Sequence, residues 1–93
     1  MSKPTLGIIG GGQLGSMLVA AARKLNIKTI VFSDDEDAPA QKISEKFICG
    51  KYNDQEKINE FITKVDIITY EFENIPYETL NAINKIKPVL PKP

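Results

Sequence analysis

The chain has 93 residues, twelve of them basic and twelve acidic, for a formal net charge of zero. That length holds one domain, and a domain so small buries only about 60–65% of the surface its unfolded chain exposes. A neutral chain lacks the long-range attraction that gathers nucleic acid or an anionic membrane, so neither is expected as a partner.

Residues 1–5 lead straight into a strand pattern without the apolar stretch of a signal peptide, and no run approaches membrane-spanning length. A soluble, cytoplasmic protein is the expectation. Leu6-Gly7-Ile8-Ile9 is a short apolar run ended by three glycines, and it reads as a strand buried on both faces of a parallel sheet. From Leu14 the apolar positions Leu14, Met17, Leu18, Ala21, Ala22 and Leu25 predict one continuous stripe along a helix, with Asn26 as its left-handed stop.

Thr29-Ile30-Val31-Phe32 reads as the second strand, followed by the acidic loop Ser33-Asp34-Asp35-Glu36-Asp37 and a short helix with Pro39 in its first turn. Phe47-Ile48-Cys49 makes a brief third strand. Cys49 is the sole cysteine and the chain has no histidine, so neither an internal disulfide nor a zinc site is available. It is expected to be a small buried hydrophobe.

Asn53 with Glu56 resembles a capping box, and Ile58, Phe61, Ile62 and Val65 supply the apolar face of a helix ending near Val65. Ile67-Ile68-Thr69-Tyr70 is the fourth strand. Pro76 opens a last helix with Leu80, Ile83 and Ile86 as inward positions, and the proline-rich tail from Pro88 is not helical. Strands alternate with helices four times, which predicts an α/β domain: an open, mostly parallel, Rossmann-like sheet with right-handed crossovers and helices on both faces.

Two segments carry the chemistry. Gly10-Gly11-Gly12-Gln13-Leu14-Gly15 satisfies the G-x-G-x-x-G spacing between a strand and a helix. Gly10 permits the tight turn, Gly12 the close approach of a ligand, and Gly15 the packing of helix on sheet. The helix N-terminus adds unpaired N–H groups and partial positive charge, so a phosphate or carboxylate is the natural ligand. The bland reading is a glycine-rich chain reversal.

The second segment is Tyr70-Glu71-Phe72-Glu73-Asn74-Ile75-Pro76, at the carboxyl end of the fourth strand. In the common doubly wound order that strand lies beside the first, across the switch point where such sheets bind ligands. With the chain extended there, Glu71 and Glu73 point the same way, as acceptors for sugar hydroxyls on the rim of the glycine loop. The bland reading makes them solvated charges. Asp34 and Asp35 fall 19 and 20 residues after Gly15, near the place of the acid that holds an adenine ribose, which keeps a nicotinamide dinucleotide module of an oxidoreductase open as an alternative. A third alternative is an interaction module pairing through an open sheet edge.

Taken in order, GIIGGGQLG followed by a Met-containing helix, then Asp37-Ala38-Pro39-Ala40-Gln41, then ITYEFENIP, resembles the 5-(carboxyamino)imidazole ribonucleotide synthetases through nearly the whole chain. The resemblance implies the N-terminal, pre-ATP-grasp domain, residues 1–93, of a purine-biosynthetic ATP-grasp ligase. That enzyme uses ATP and bicarbonate to carboxylate 5-aminoimidazole ribonucleotide through a carboxyphosphate.

By the same resemblance Gly12, Gln13 and Leu14 lie by the ribonucleotide's phosphate and ribose, and Glu73, with Glu71 and Asn74, contacts its sugar side. No residue here is implied in bond making. ATP and Mg2+ are implied to bind outside these 93 residues, which alone are expected to be inactive, and the intact enzyme is implied to be a homodimer. The related formate-dependent glycinamide ribonucleotide transformylases typically carry Glu where this chain has Gln13 and lack the EFEN segment. Two departures from the family pattern are Ser16, where a basic residue is common, and Ser33-Asp34, where Asp-Pro is usual.

Overall fold

The alternating pattern becomes a single parallel sheet in a computed structural model, which describes residues 4–71 and 75–91. Strand β1 (Thr5–Ile9) leads to α1 (Gln13–Lys24), β2 (Lys28–Ser33), a 3-10 turn (Pro39–Lys42), β3 (Lys46–Cys49), α2 (Gln55–Thr63), β4 (Ile67–Tyr70) and α3 (Tyr77–Asn84). The sheet order is β3-β2-β1-β4, every pair parallel, with Ile9 opposite both Phe32 and Tyr70. The chain therefore reverses its direction of travel across the sheet at β1, between β2 and β4, as the doubly wound reading requires.

Side-chain alternation along the strands feeds two cores. Ile9, Ile30, Phe32, Ile68 and Tyr70 face α2 and α3, where they meet Ile58, Phe61, Ile62, Leu80 and Ile83. Ile8 and Val31 face the other way, toward Val19 of α1 and Ala40 of the 3-10 turn. The tail adds a contact beyond β4: Val89 is fully buried and bridges Ile68 in parallel, through Ile68 N–H to Pro88 O and Leu90 N–H to Ile68 O, both 2.9 Å. Part of the β4 edge is thereby covered.

Four expectations are corrected. First, α1 does not bury the predicted stripe. Leu14, Met17 and Leu25 are 42%, 62% and 62% exposed, whereas Gly15, Val19 and Ala22 are buried and Leu18 half-buried. The helix sits so close to the sheet that a Cβ on Gly15 would run into the carbonyl oxygen of Gly10, so it packs through its smallest residues. The left-handed stop stands, with Asn26 at φ 58°.

Second, Cys49 is exposed, because it is the last residue of an edge strand. Third, the cap of α2 is Asp54 and not Asn53: the Asp54 carboxylate accepts the Lys57 N–H at 3.2 Å. Fourth, Ile86 lies past the end of α3 and is 62% exposed.

Phe61 is fully buried, with its ring centroid 5.7 Å from that of Phe32. Truncating it removes a large aromatic from the bigger core, where packing relaxes only in part, so Phe61→Ala should cost about 3–5 kcal/mol. Urea unfolding followed by circular dichroism reads the loss; a change below about 1 kcal/mol would mean that this face is not the structural core.

Candidate functional site

The carboxyl ends of β1, β2 and β4, with the loop after β3, converge on one side of the switch point. The chain leaves β1 at Gly10, whose φ of 104° suits a residue without a side chain, and whose N–H extends the ladder to Phe32 O at 2.7 Å. Gly11 presses against the Ala38-Pro39-Ala40 segment: its carbonyl accepts the Ala40 N–H at 3.0 Å, and a Cβ would lie 2.7 Å from that of Ala38. The alanines of that segment thus have a steric reason that lies in the glycine loop.

Gly12 is the N-cap of α1 and has no side chain with which to cap it. That task falls to Glu71. Its backbone N–H continues the β4 to β1 ladder to Ile9 O at 3.0 Å, and its side chain turns inward. Oε2 accepts the Gly12 N–H at 3.2 Å and Oε1 accepts the Gly15 N–H at 2.5 Å, in a residue only 3% exposed. A buried carboxylate thus meets the positive end of the helix dipole. Where the sequence reading set Glu71 on the rim as an acceptor for sugar hydroxyls, the structure turns its side chain inward, with one loop N–H on each oxygen, while the residue still lines the cleft.

In front of this contact lies a cleft of about 200 Å³, lined by Gly10, Gly11, Gly12, Ser33, Asp34 and Asp35, and closed by Ala38, Tyr52, Glu71 and Ile75. The structure therefore brings together Gly12, Glu71 and the Asp34-Asp35 pair. Gln13 and Leu14 lie beside the cleft on the exposed first turn of α1, and their N–H groups have no acceptor among the described residues. Glu73 and Asn74 lie outside the described residues.

Asp35 is partly spent on its own loop, accepting the Asp37 N–H at 2.9 Å on Oδ1 and donating its N–H to Ser33 Oγ at 3.2 Å. Among the described lining residues there are three carboxylates and no lysine or arginine. The charged side chains of the lining are all acceptors, suited to hydroxyl and amine donors rather than to a second anion, with the Ser33 and Tyr52 hydroxyls beside them.

Tyr52 was not singled out by its sequence context, and Ser33 only as a departure from the family pattern. The signal was available, because in a parallel sheet every loop after a strand's carboxyl end borders the same crevice, and Tyr52 lies in the loop after β3. Tyr52 stands against Phe32, with ring centroids 6.0 Å apart.

The sequence model of the family described as the ribonucleotide synthetase preATP-grasp domain matches residues 3–93. The N5-carboxyaminoimidazole ribonucleotide synthase of Staphylococcus epidermidis is 43% identical over 82 residues, which are 88% of this chain and 22% of that protein. Among solved structures, the N5-carboxyaminoimidazole synthetase from Staphylococcus aureus complexed with ADP superposes with a TM-score of 0.86 at 41% identity, covering 92% of this chain and 23% of that one. The N5-carboxyaminoimidazole synthase from Aspergillus clavatus in complex with ADP and 5-aminoimidazole ribonucleotide does so with a TM-score of 0.79 at 29% identity, covering 94% and 23%. The chain thus spans less than a quarter of the length of each relative.

Burial, and then the nearby Asp34 carboxylate, pushes the Tyr52 phenol up to about 12. Because the folded state holds this proton more tightly than the unfolded chain, the associated stability is complete below pH about 10 and is lost as pH rises toward 12. The ultraviolet difference titration between wild type and Tyr52→Phe should show one phenolate forming near pH 12. Ionisation near pH 10 would mean that Tyr52 is solvated and not packed against the cleft.

Proposed function

Because this chain belongs to the ribonucleotide synthetase preATP-grasp family, we propose that it is the substrate-contacting N-terminal domain of an ATP- and bicarbonate-dependent ligase. That enzyme carboxylates the amine of 5-aminoimidazole ribonucleotide in de novo purine biosynthesis. Two observations support the reading. The relatives that match nearly the whole chain carry names of this activity, and one of them is in complex with ADP and 5-aminoimidazole ribonucleotide. The cleft at the switch point is lined by acceptors of the kind that ribose hydroxyls and an exocyclic amine require.

The ribonucleotide is assigned to the mouth of this cleft. Gly12, Gln13 and Leu14 border it at the start of α1, and Glu73 and Asn74 are assigned to the sugar side of the ribonucleotide by the family resemblance. The phosphate is assigned to the outer face, by the N–H groups of Gln13 and Leu14 that have no acceptor among the described residues, because the inner face of the loop is already satisfied by Glu71. Glu71 itself is assigned to holding the loop.

ATP and Mg2+ are assigned to parts of the enzyme outside this stretch. The matched family is described as a preATP-grasp domain, which supports an ATP site elsewhere in the enzyme. No step of bond making is assigned to these residues, whose part is to bind and orient.

In the full-length ligase, Gln13→Ala and Glu73→Ala should each raise KM for the ribonucleotide about tenfold, the equivalent of one lost polar contact. KM for ATP should stay within about twofold. Steady-state kinetics with each substrate varied in turn makes the comparison, and an equal rise for both substrates would refute the assignment. In a complementary chemical-shift titration of the present chain, the ribonucleotide should move the amides of Gly12, Gln13 and Leu14, whereas NAD moving Gly10 to Gly15 together with Asp34 or Asp35 would favour the dinucleotide alternative.

A further inference from the structure

Three of the loop's glycines surround one side chain. A Cβ on Gly10, Gly12 or Gly15 would lie 2.8, 3.1 or 3.2 Å from a Glu71 carboxylate oxygen. The cradle that a glycine-rich loop forms by doing without side chains is therefore filled by a group of the protein's own. The donors are also engaged, Gly12 N–H to Oε2 and Gly15 N–H to Oε1, with the carboxylate buried against the N-terminus of a twelve-residue helix.

We infer that Glu71 is a tethered anion occupying the seat that a ligand's phosphate takes in a dinucleotide-binding loop. It acts as a specificity-determining residue, closing the G-x-G-x-x-G loop to pyrophosphate while leaving the cleft in front open to neutral donors.

Three features of the site bear on this. Space comes first: the seat is bounded by Gly10, Gly12 and Gly15, and the Glu71 side chain takes all three approaches. Charge acts in the same direction, since an entering pyrophosphate would meet Glu71, Asp34 and Asp35 in the lining of one cleft. Donor supply completes the case, because the two loop N–H groups facing inward already have an acceptor at hydrogen-bond distance. A ligand with both hydroxyls and a phosphate is thereby oriented, its hydroxyls toward the acid wall and its phosphate away from it. The inference rests on the loop geometry alone, so it and the ribonucleotide reading can fail separately.

The test is anion rescue of Glu71→Ala in the present chain. Removing the carboxylate leaves one buried and one part-buried N–H group unpaired, so the variant should melt below wild type, and a purely structural cap would predict the same. The response to an added anion separates the two roles. Sodium pyrophosphate should raise the melting temperature of Glu71→Ala saturably by several degrees, or restore its folded circular dichroism signal if the variant is unfolded at the outset. Wild type should gain less than the variant at every pyrophosphate concentration, the difference reporting the inner seat because both proteins share the outer-face N–H groups of Gln13 and Leu14, and a sodium chloride series at equal ionic strength removes the general effect of an excluded salt. In the rescued variant the amide signals of Gly12 and Gly15 should move with pyrophosphate. Equal stabilisation of the two proteins, no rescue of the variant, or saturable movement of Gly12 and Gly15 in wild type with pyrophosphate would each overturn the inference.

Discussion

The contact between the Glu71 carboxylate and the N–H groups of Gly12 and Gly15 ties the end of β4 to the start of α1, across 56 to 59 residues of sequence. An N-cap side chain normally performs this task from within the helix's own first turn. Here the cap position is glycine, and a Cβ there would press on the carboxylate that does the capping, 3.1 Å from Oε2, so that the glutamate would have to give by a few tenths of an ångström. The glycines and the glutamate therefore form one unit: each glycine makes room for the acid, and the acid satisfies the donors that the glycines expose. The pairing of β1 with β4 is what brings the partners within reach, since the Glu71 N–H is itself bonded to Ile9 O at the end of that ladder.

From this unit the placement of α1 follows. The carboxylate draws the helix end down onto the sheet, and Gly15 allows the close approach to the Gly10 carbonyl. Height and rotation being set there, the helix buries Gly15, Val19 and Ala22, while Leu14, Met17 and Leu25 face outward. Burial of the larger residues would stabilise the helix more per unit of area. A fixed end contact combined with glycine-to-backbone packing overrides that preference, and the contact at the helix N-terminus is made by a carboxylate that is itself only 3% exposed.

Much of the architecture was legible because alternation in a parallel sheet is a strong constraint. Ile67-Ile68-Thr69-Tyr70 is β4 residue for residue, and Asn26 and Pro76 mark the ends for which their backbone preferences suit them. The errors share one cause, which is that tertiary contacts chose between locally equivalent options. Neither the stripe on α1 nor the inward turn of Glu71 can be read from periodicity, because each depends on a partner more than fifty residues away. At the start of α2, Asn53 and Asp54 are both good caps, and the winner is the one whose carboxylate reaches the Lys57 N–H. Cys49 illustrates the same point for burial: within edge strand β3, Ile48 is buried in the larger core, whereas Cys49, on the alternate face at the strand's end, is exposed.

The glycine fingerprint shows how far a short motif carries. G-x-G-x-x-G states that backbone must come close to something at the mouth of a strand-turn-helix unit, and it leaves the identity of that something open. A pyrophosphate and a carboxylate from a neighbouring strand make the same two demands, for space without Cβ atoms and for inward-facing N–H donors. The residue that separates them lies outside the motif, at the carboxyl end of the strand beside it, and in this chain it is an acid. A loop of this kind facing an uncharged residue at that position has an empty seat for phosphate; facing glutamate, it has a filled one. Reading the glycine loop together with the strand end opposite it therefore turns a statement about sterics into one about charge, and charge decides which part of a ligand enters the cleft.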